Sequence, residues 1–169
     1  FQNNSDGIYG SINLNSEMNI ANIRNSGIFR MLGGQSVVGN FGNLYQEAGT
    51  FQQTPNNIYH FSGTVRLNGG SLDTADSIVI GQRTGNFSIG NSLVLAGGSL
   101  NQTGLLTQKA GQVSVTNGSY AFGTINKENG SLSNAATLSI TNFNQANGFS
   151  SNSGNLTIGH ADLYGTLNN

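Results

Sequence analysis

The sequence predicts an all-β fold, a right-handed parallel β-helix (β-solenoid) with three short strands in each coil of about 21 residues. Three observations predict it: apolar residues recur every seven positions, they come as i, i+2 pairs, and Gly, Asn and Ser fill the intervals. Cut every seven residues from Gly42, the chain reads GNLYQEA, GTFQQTP, NNIYHFS, GTVRLNG, GSLDTAD, SIVIGQR, TGNFSIG, NSLVLAG, then GSLNQT (one short), GLLTQKA, GQVSVTN and GSYAFGT. The third place is apolar in eleven of these twelve pieces: Leu44, Phe51, Ile58, Val65, Leu72, Val79, Leu93, Leu100, Leu106, Val113 and Tyr120. The piece at Thr84 departs, its apolar residue slipping one place to Phe87.

A seven-residue repeat is the usual mark of a coiled coil. Here the small position is Gly, and charges flanking the apolar seam are absent. The second apolar residue follows the first by two, as in Val65 and Leu67, Leu93 and Leu95, Val113 and Val115, Leu138 and Ile140, or Leu156 and Ile158. Period two is a strand with one buried face. Gly, Asn and Ser supply the corners, where positive φ is needed. Three pieces close a triangular coil, and stacking at that interval aligns Phe51, Leu72, Leu93 and Val113. It likewise aligns Ile58, Val79, Leu100 and Tyr120, and Leu44, Val65, Phe87 and Leu106. The fourth place then faces outward, with Tyr45 and Tyr59 on it, and Gln46 and Gln102 are likewise expected outside. The competing architecture is an antiparallel sandwich with strands at about 8–12 residue intervals, for which Asn-Gly at Asn68, Asn117, Asn129 and Asn147 supplies hairpin signals.

Taken in order, the N-terminal stretch still alternates: Ile12 with Leu14, Met18 with Ile20, Phe29 with Met31. After Gly130 the spacing stretches through Leu132, Leu138, Ile140, Phe143, Phe149, Leu156, Ile158, Leu163 and Leu167. Residues 1–169 are therefore one solenoid domain, less regular at 1–41 and 124–169. Roughly eight coils at about 4.8 Å each give a rod about 38 Å long.

Composition removes several functions. The chain has 26 Asn, 25 Gly, one Pro, no Cys and no Trp. Six Lys and Arg against seven Asp and Glu provide no basic surface for nucleic acid. Without Cys there is neither a disulfide framework nor a thiolate metal site. No apolar run approaches the ~20 residues of a membrane-spanning helix.

Catalytic chemistry finds little support. Asp73 and Asp76 form the one close acidic pair, with Arg66 and Arg83 within a coil's reach. Acid–arginine clusters of that kind serve polysaccharide cleavage, yet Asp is also a common corner residue. His60 and His160 stand a hundred residues apart without a ligand set. The calcium-binding GGxGxDxUx repeat, GxGxxG and GxSxG are absent. No catalytic, metal or cofactor site is expected. Tyr45 and Tyr59 are the candidate partner-binding aromatics.

GGSLNQTG, GQVSVTNGSYAFG and SGNLTIGHADLYGTLNN resemble the β-helical stalks of bacterial autotransporter and two-partner-secretion passengers. The resemblance implies secretion to the bacterial cell surface or beyond, and a role in adhesion, display or fibre building. It brings no catalytic residue. The expected function is thus an extracellular structural solenoid, a filament subunit assembling end to end or an adhesin stalk, with a carbohydrate-binding or polysaccharide-cleaving β-helix as the alternative. Phe1 is not a start residue, which suggests a mature product or an excised piece. Neither end carries a helical cap, and open strand edges invite pairing with another copy. Ile8, Tyr9, Leu167, Asn168 and Asn169 are the expected assembly ends, and copies of the chain or matrix glycans the expected partners.

Overall fold

Each seven-residue piece buries alternate side chains, as Thr64–Leu67 does with Val65 and Leu67 inward. A strand this short cannot bury its apolar row alone, and stacking onto its equivalent in the next coil solves that problem. The computed structural model describes residues 2–3, 17–31, 37–102 and 104–169. These contain twenty strands and no helix. Every strand pairing is parallel, and the strands stack into a β-solenoid of about seven turns.

Each turn has three walls. On wall A, Ile23, Leu44, Val65, Leu93, Val113, Leu132, Ser150 and Leu167 lie in register, at steps of 21, 21, 28, 20, 19, 18 and 17 residues. On wall B, Phe29, Phe51, Leu72 and Leu100 form one column, with Tyr120, Leu138 and Leu156 in line higher up. Wall C stacks Phe41, Phe61, Ile89, Ile80, Gln108, Lys127, Gln145 and Leu163. Early strands such as Val38–Gln46 run unbroken from wall C into wall A, whereas Ser119–Lys127, Thr137–Gln145 and Asn155–Leu163 run from wall B into wall C.

The corners decide which residues the chain can place there. At the corner from wall A to wall B, Gly70 and Gly98 have φ of +67° and +72°. A Cβ on Gly98 would lie 2.5 Å from the Gly70 carbonyl oxygen, and one on Gly70 would lie 2.3 Å from that of Gly49. Backbone stacks directly on backbone here, and only hydrogen fits between.

One coil departs from this order. Ile78–Ile80 comes first in sequence but sits above Phe87–Ile89, which rests on Ile58–Phe61. The chain climbs a level, then steps back down through residues 81–86. That connection is half the dozen residues parallel neighbours usually need. Gly81 at φ +84° and Gly85 at φ +73° make the reversal feasible. Wall C consequently takes three strand steps from Ile58–Phe61 to Leu105–Gln108, while wall A takes two from Thr64–Leu67 to Gln112–Val115. Each step is about 4.8 Å, so the extra strand thickens one side of the stack.

The back-step corrects the expected columns. Leu72, Leu93 and Val113 are all buried, but Leu72 stacks under Leu100 on wall B while Leu93 and Val113 stack on wall A. A strict 21-residue frame misses the seven extra residues of the 28-residue step, and everything beyond Ile78 shifts by one wall. Ile58 and Val79 are half-buried, their neighbours Tyr59, Ile78 and Ile80 taking the inward places. Gln46, expected outside, is fully buried.

The core is aromatic at its N-terminal end. Phe29 stacks on Phe51 at 4.8 Å between centroids, and Phe41, Phe61, Tyr59 and Phe87 continue the cluster with neighbouring centroids 5.1–6.2 Å apart. Such contacts add to the area buried, by about 0.5–1.5 kcal/mol per pair. Toward the C-terminus Leu, Ile and Val predominate, with Tyr120, Phe122 and Phe143 still among them.

Leu93→Asp is expected to unfold several coils, because an unpaired buried charge costs several kcal/mol. Val94→Thr, on the outward side of the same strand, is expected to cost less than about 1 kcal/mol. Denaturant titration followed by circular dichroism separates the two, and equal loss at both positions would contradict the assignment of faces.

Candidate functional site

The outward rows carry what chemistry the surface has. On wall A, Tyr45 stands in register between Arg24 below and Arg66 above. The Arg24 guanidinium lies 5.9 Å from the Tyr45 ring centroid and 3.8 Å from the Glu47 carboxylate. Tyr45 is half-buried on the outer surface, available on one edge. Tyr59 is not. It is wholly buried among Phe41, Phe51 and Phe87. Its hydroxyl accepts the Met31 N–H at 3.1 Å and donates to the Gln52 carbonyl at 3.3 Å. Burial raises its pKa above that of a free phenol. The inward turn follows from the piece's register: Tyr59 and Phe61 fill the coil and leave Ile58 at the edge.

The acidic pair does not assemble a site. Asp73 accepts from Asn101 at 2.8 Å, and Asp76 from Gln53 at 2.8 Å. Arg66 donates to Asn68 and Arg83 to Asn40, so neither guanidinium is engaged with those acids. His160 lies 3.5 Å from Asp162, both exposed on the last coil. Among the described residues no group of three or more His, Cys, Asp or Glu converges. Ile8 and Tyr9 lie outside the described residues.

Sequence reasoning missed the polar residues inside the corners. Asn25 and Gln46 meet at 2.8 Å in the core, and each donates to a corner carbonyl two residues on, Gly27 and Ala48. Gln108 and Gln145 do the same three residues on, to Gly111 and Gly148, each also reaching a carbonyl in the next coil, Ser131 and Thr166. Sharp corners turn carbonyls inward, and buried carbonyls must be paired. The signal was visible: Asn-x-Gly, or Gln-x-x-Gly, at the close of an alternating strand.

Lys127 occupies one such corner place without an amide. It is 1% exposed, and its amine donates to the Asn147 carbonyl at 2.8 Å. Among the described residues no carboxylate pairs with it; Glu128 pairs with Lys109 instead. Burial lowers its pKa from the ordinary 10.5. A recess of about 370 Å³ opens beside it, lined by Lys127, Gln145, Asp162 and Tyr164 among others.

Among the described residues no strand stacks on the last coil, Asn155–Leu163 with Thr166–Asn168. Leu156, Ile158 and Leu167 are partly covered, Leu163 is 40% exposed and Tyr164 87%. Beside them runs an amide ladder in which Asn134 donates to Asn152 at 2.7 Å and Asn152 to Asn169 at 2.5 Å. Followed down wall A, the same register place holds Val115, Leu95, Leu67, Gln46, Asn25 and Asn3. Among the described side chains this column is apolar in the middle, with Gln46 and Asn25 below and Asn134, Asn152 and Asn169 above. Comparison with family models, curated proteins and solved structures gave no match.

Lys127→Met is expected to raise stability at neutral pH by about 1–3 kcal/mol, because a buried unpaired cation is replaced by an apolar chain of similar length. The folded amine is harder to charge than the unfolded one. The penalty is therefore complete below the folded pKa and fades as pH rises toward 10.5. Denaturation midpoints measured from pH 7 to pH 10.5 should converge for parent and variant, and a constant gap would contradict the assignment.

Proposed function

We propose that the protein is an extracellular structural β-solenoid of the bacterial surface, a filament subunit whose coils continue from one copy into the next. The observation that carries this reading is the last coil. Its apolar residues lie directly above buried columns, at the places where a further coil would cover them. The proposed occupant is a second copy, because the wall A column carries Asn25 and Gln46 low in the stack and Asn134, Asn152 and Asn169 high in it. Stacked amides extend such ladders across a junction, and parallel strand addition pairs the open backbone groups. Low net charge, −1 over 169 residues, opposes that approach little. Abundant Asn, Ser, Thr and Gly suit a secreted surface protein. The role is mechanical or adhesive, with no catalytic step assigned to Asp73 or Asp76.

Light scattering against concentration tests it, using the parent and Leu156→Lys with Leu163→Lys. The parent is expected to lengthen with concentration, and the double variant to remain monomeric with its β-sheet circular dichroism retained. A parent that stays monomeric at every concentration would oppose the filament and favour the stalk. Polymers that persist in the variant would place the contacts on the walls.

A further inference from the structure

Far from the last coil, on the outside of the first four levels, a groove of about 670 Å³ follows the corner between wall C and wall A. Its floor is Ala21, Gly42, Ser62 and Gly90, the small residues of that corner. Larger side chains are excluded by the stacking itself: a Cβ on Gly42 would fall 1.8 Å from the Ala21 carbonyl oxygen, and one on Gly90 2.6 Å from that of Ser62. The banks are two polar ladders. Asn40 donates to Asn19 at 3.1 Å on wall C, and Asn43 donates to Asn22 at 2.8 Å on wall A.

The upper end is specialised. His60 Nδ1 and Ser88 Oγ lie 2.5 Å apart, and Ser88 is 1% exposed although it alternates with two inward residues. Burial first, and the charge of Arg83 second, lower the His60 pKa from its ordinary value, and His60 lines the groove. Arg83 enters from the back-step loop and donates to Asn40 Oδ1, which uses part of its five-donor fork. Asn40 Nδ2 also donates to Glu17. Among the described residues that line the groove Arg83 is the one cation, with Glu17 at the neighbouring amide.

We propose that this groove binds a short saccharide carrying a single carboxylate, its hydroxyls on the Asn ladders and its carboxylate on Arg83. Three properties select that chemistry. The rungs repeat at the strand spacing of about 4.8 Å, close to the length of one pyranose unit and unlike the 3.2–3.4 Å rise of an extended peptide. Paired amides match vicinal hydroxyls, which donate and accept together. The planar guanidinium takes a carboxylate in a two-point grip, while Glu17 disfavours a second negative charge beside it. A nucleic-acid backbone carries repeated charge, for which one Arg is no counterpart. The inference stands apart from coil stacking, since a monomer contains the whole groove.

The test is calorimetric titration of the intact chain with xylotriose bearing one glucuronate, and with plain xylotriose. Saturable binding of the acidic sugar is expected, weaker by about tenfold for the neutral sugar and for Arg83→Gln, the loss of one charge-assisted pair. Arg83→Lys should recover part of it. Arg83 is on an exposed loop, and an unchanged denaturation midpoint checks the fold of each variant. Amide NMR shifts at Asn22, Asn43, Ser62 and Gly90 should follow the parent's titration. The proposal falls if the acidic trisaccharide fails to saturate at millimolar concentration, if both sugars bind alike, or if Arg83→Gln binds as the parent does. It falls equally if a Glu-rich peptide displaces the sugar and binds more tightly.

Discussion

Backbone stacked on backbone, coil over coil, is the constraint on which the rest of this structure depends. Each strand must deliver its N–H and C=O groups to the strand above and below in parallel register. The walls meet that demand with any alternating sequence. The corners meet it only if nothing separates successive carbonyls. Hence the Cβ of Gly98 has no room over Gly70, nor that of Gly148 over Gly130, where 2.3 Å would separate it from the carbonyl oxygen. The abundance of Gly is the record of those corners. The abundance of Asn has a related cause, since Asn caps turned carbonyls from inside and forms ladders outside.

The interior follows from the same geometry. A triangular coil has little room, and the apolar columns fill it along each wall. At the wall ends the backbone turns and its carbonyls face inward. Asn25, Gln46, Gln108, Asn134 and Gln145 answer them with side-chain amides. Their amide nitrogens are paired with those carbonyls, which removes most of the desolvation cost, while Gln108 Oε1 is buried without a partner among the described residues. Lys127 answers with a charge instead, and burial without a carboxylate makes it the strained member of the set.

Much of the fold was legible because the constraint repeats. A third-place apolar residue followed by another two places on defines a strand, and the recurring Gly defines its end. The parallel solenoid and its three walls follow from those two signals. The column assignments did not follow, and the reason lies at Phe87. Its slip by one place marked an irregularity, but a slip in sequence does not say that the chain steps back a level. Tyr59 and Gln46 failed for a local reason. Alternation says which residues share a face, while only the turn geometry says which face is inside. The groove was illegible for a different reason. Asn19, Asn40, His60 and Ser88 are spread over some seventy positions, and the parallel register brings them to one row.

A regular solenoid presents its surface as a lattice, with each level repeating the one below. Such a lattice offers many equivalent weak positions and no unique one. A distinct site needs a break in the repeat. In this chain the break is the back-step at residues 81–86, which inserts one strand into wall C and leaves the other walls in order. It requires a short connection turned by two positive-φ glycines, Gly81 and Gly85. In return, Arg83 stands over rungs laid down forty and sixty residues earlier, at Asn40 and Asn22. Seven extra residues are one repeat unit, so the third-place apolar residue returns at Leu93 and the corner Gly at Gly98. The same arithmetic that hides the irregularity from a periodic reading of the sequence is what permits the fold to carry it.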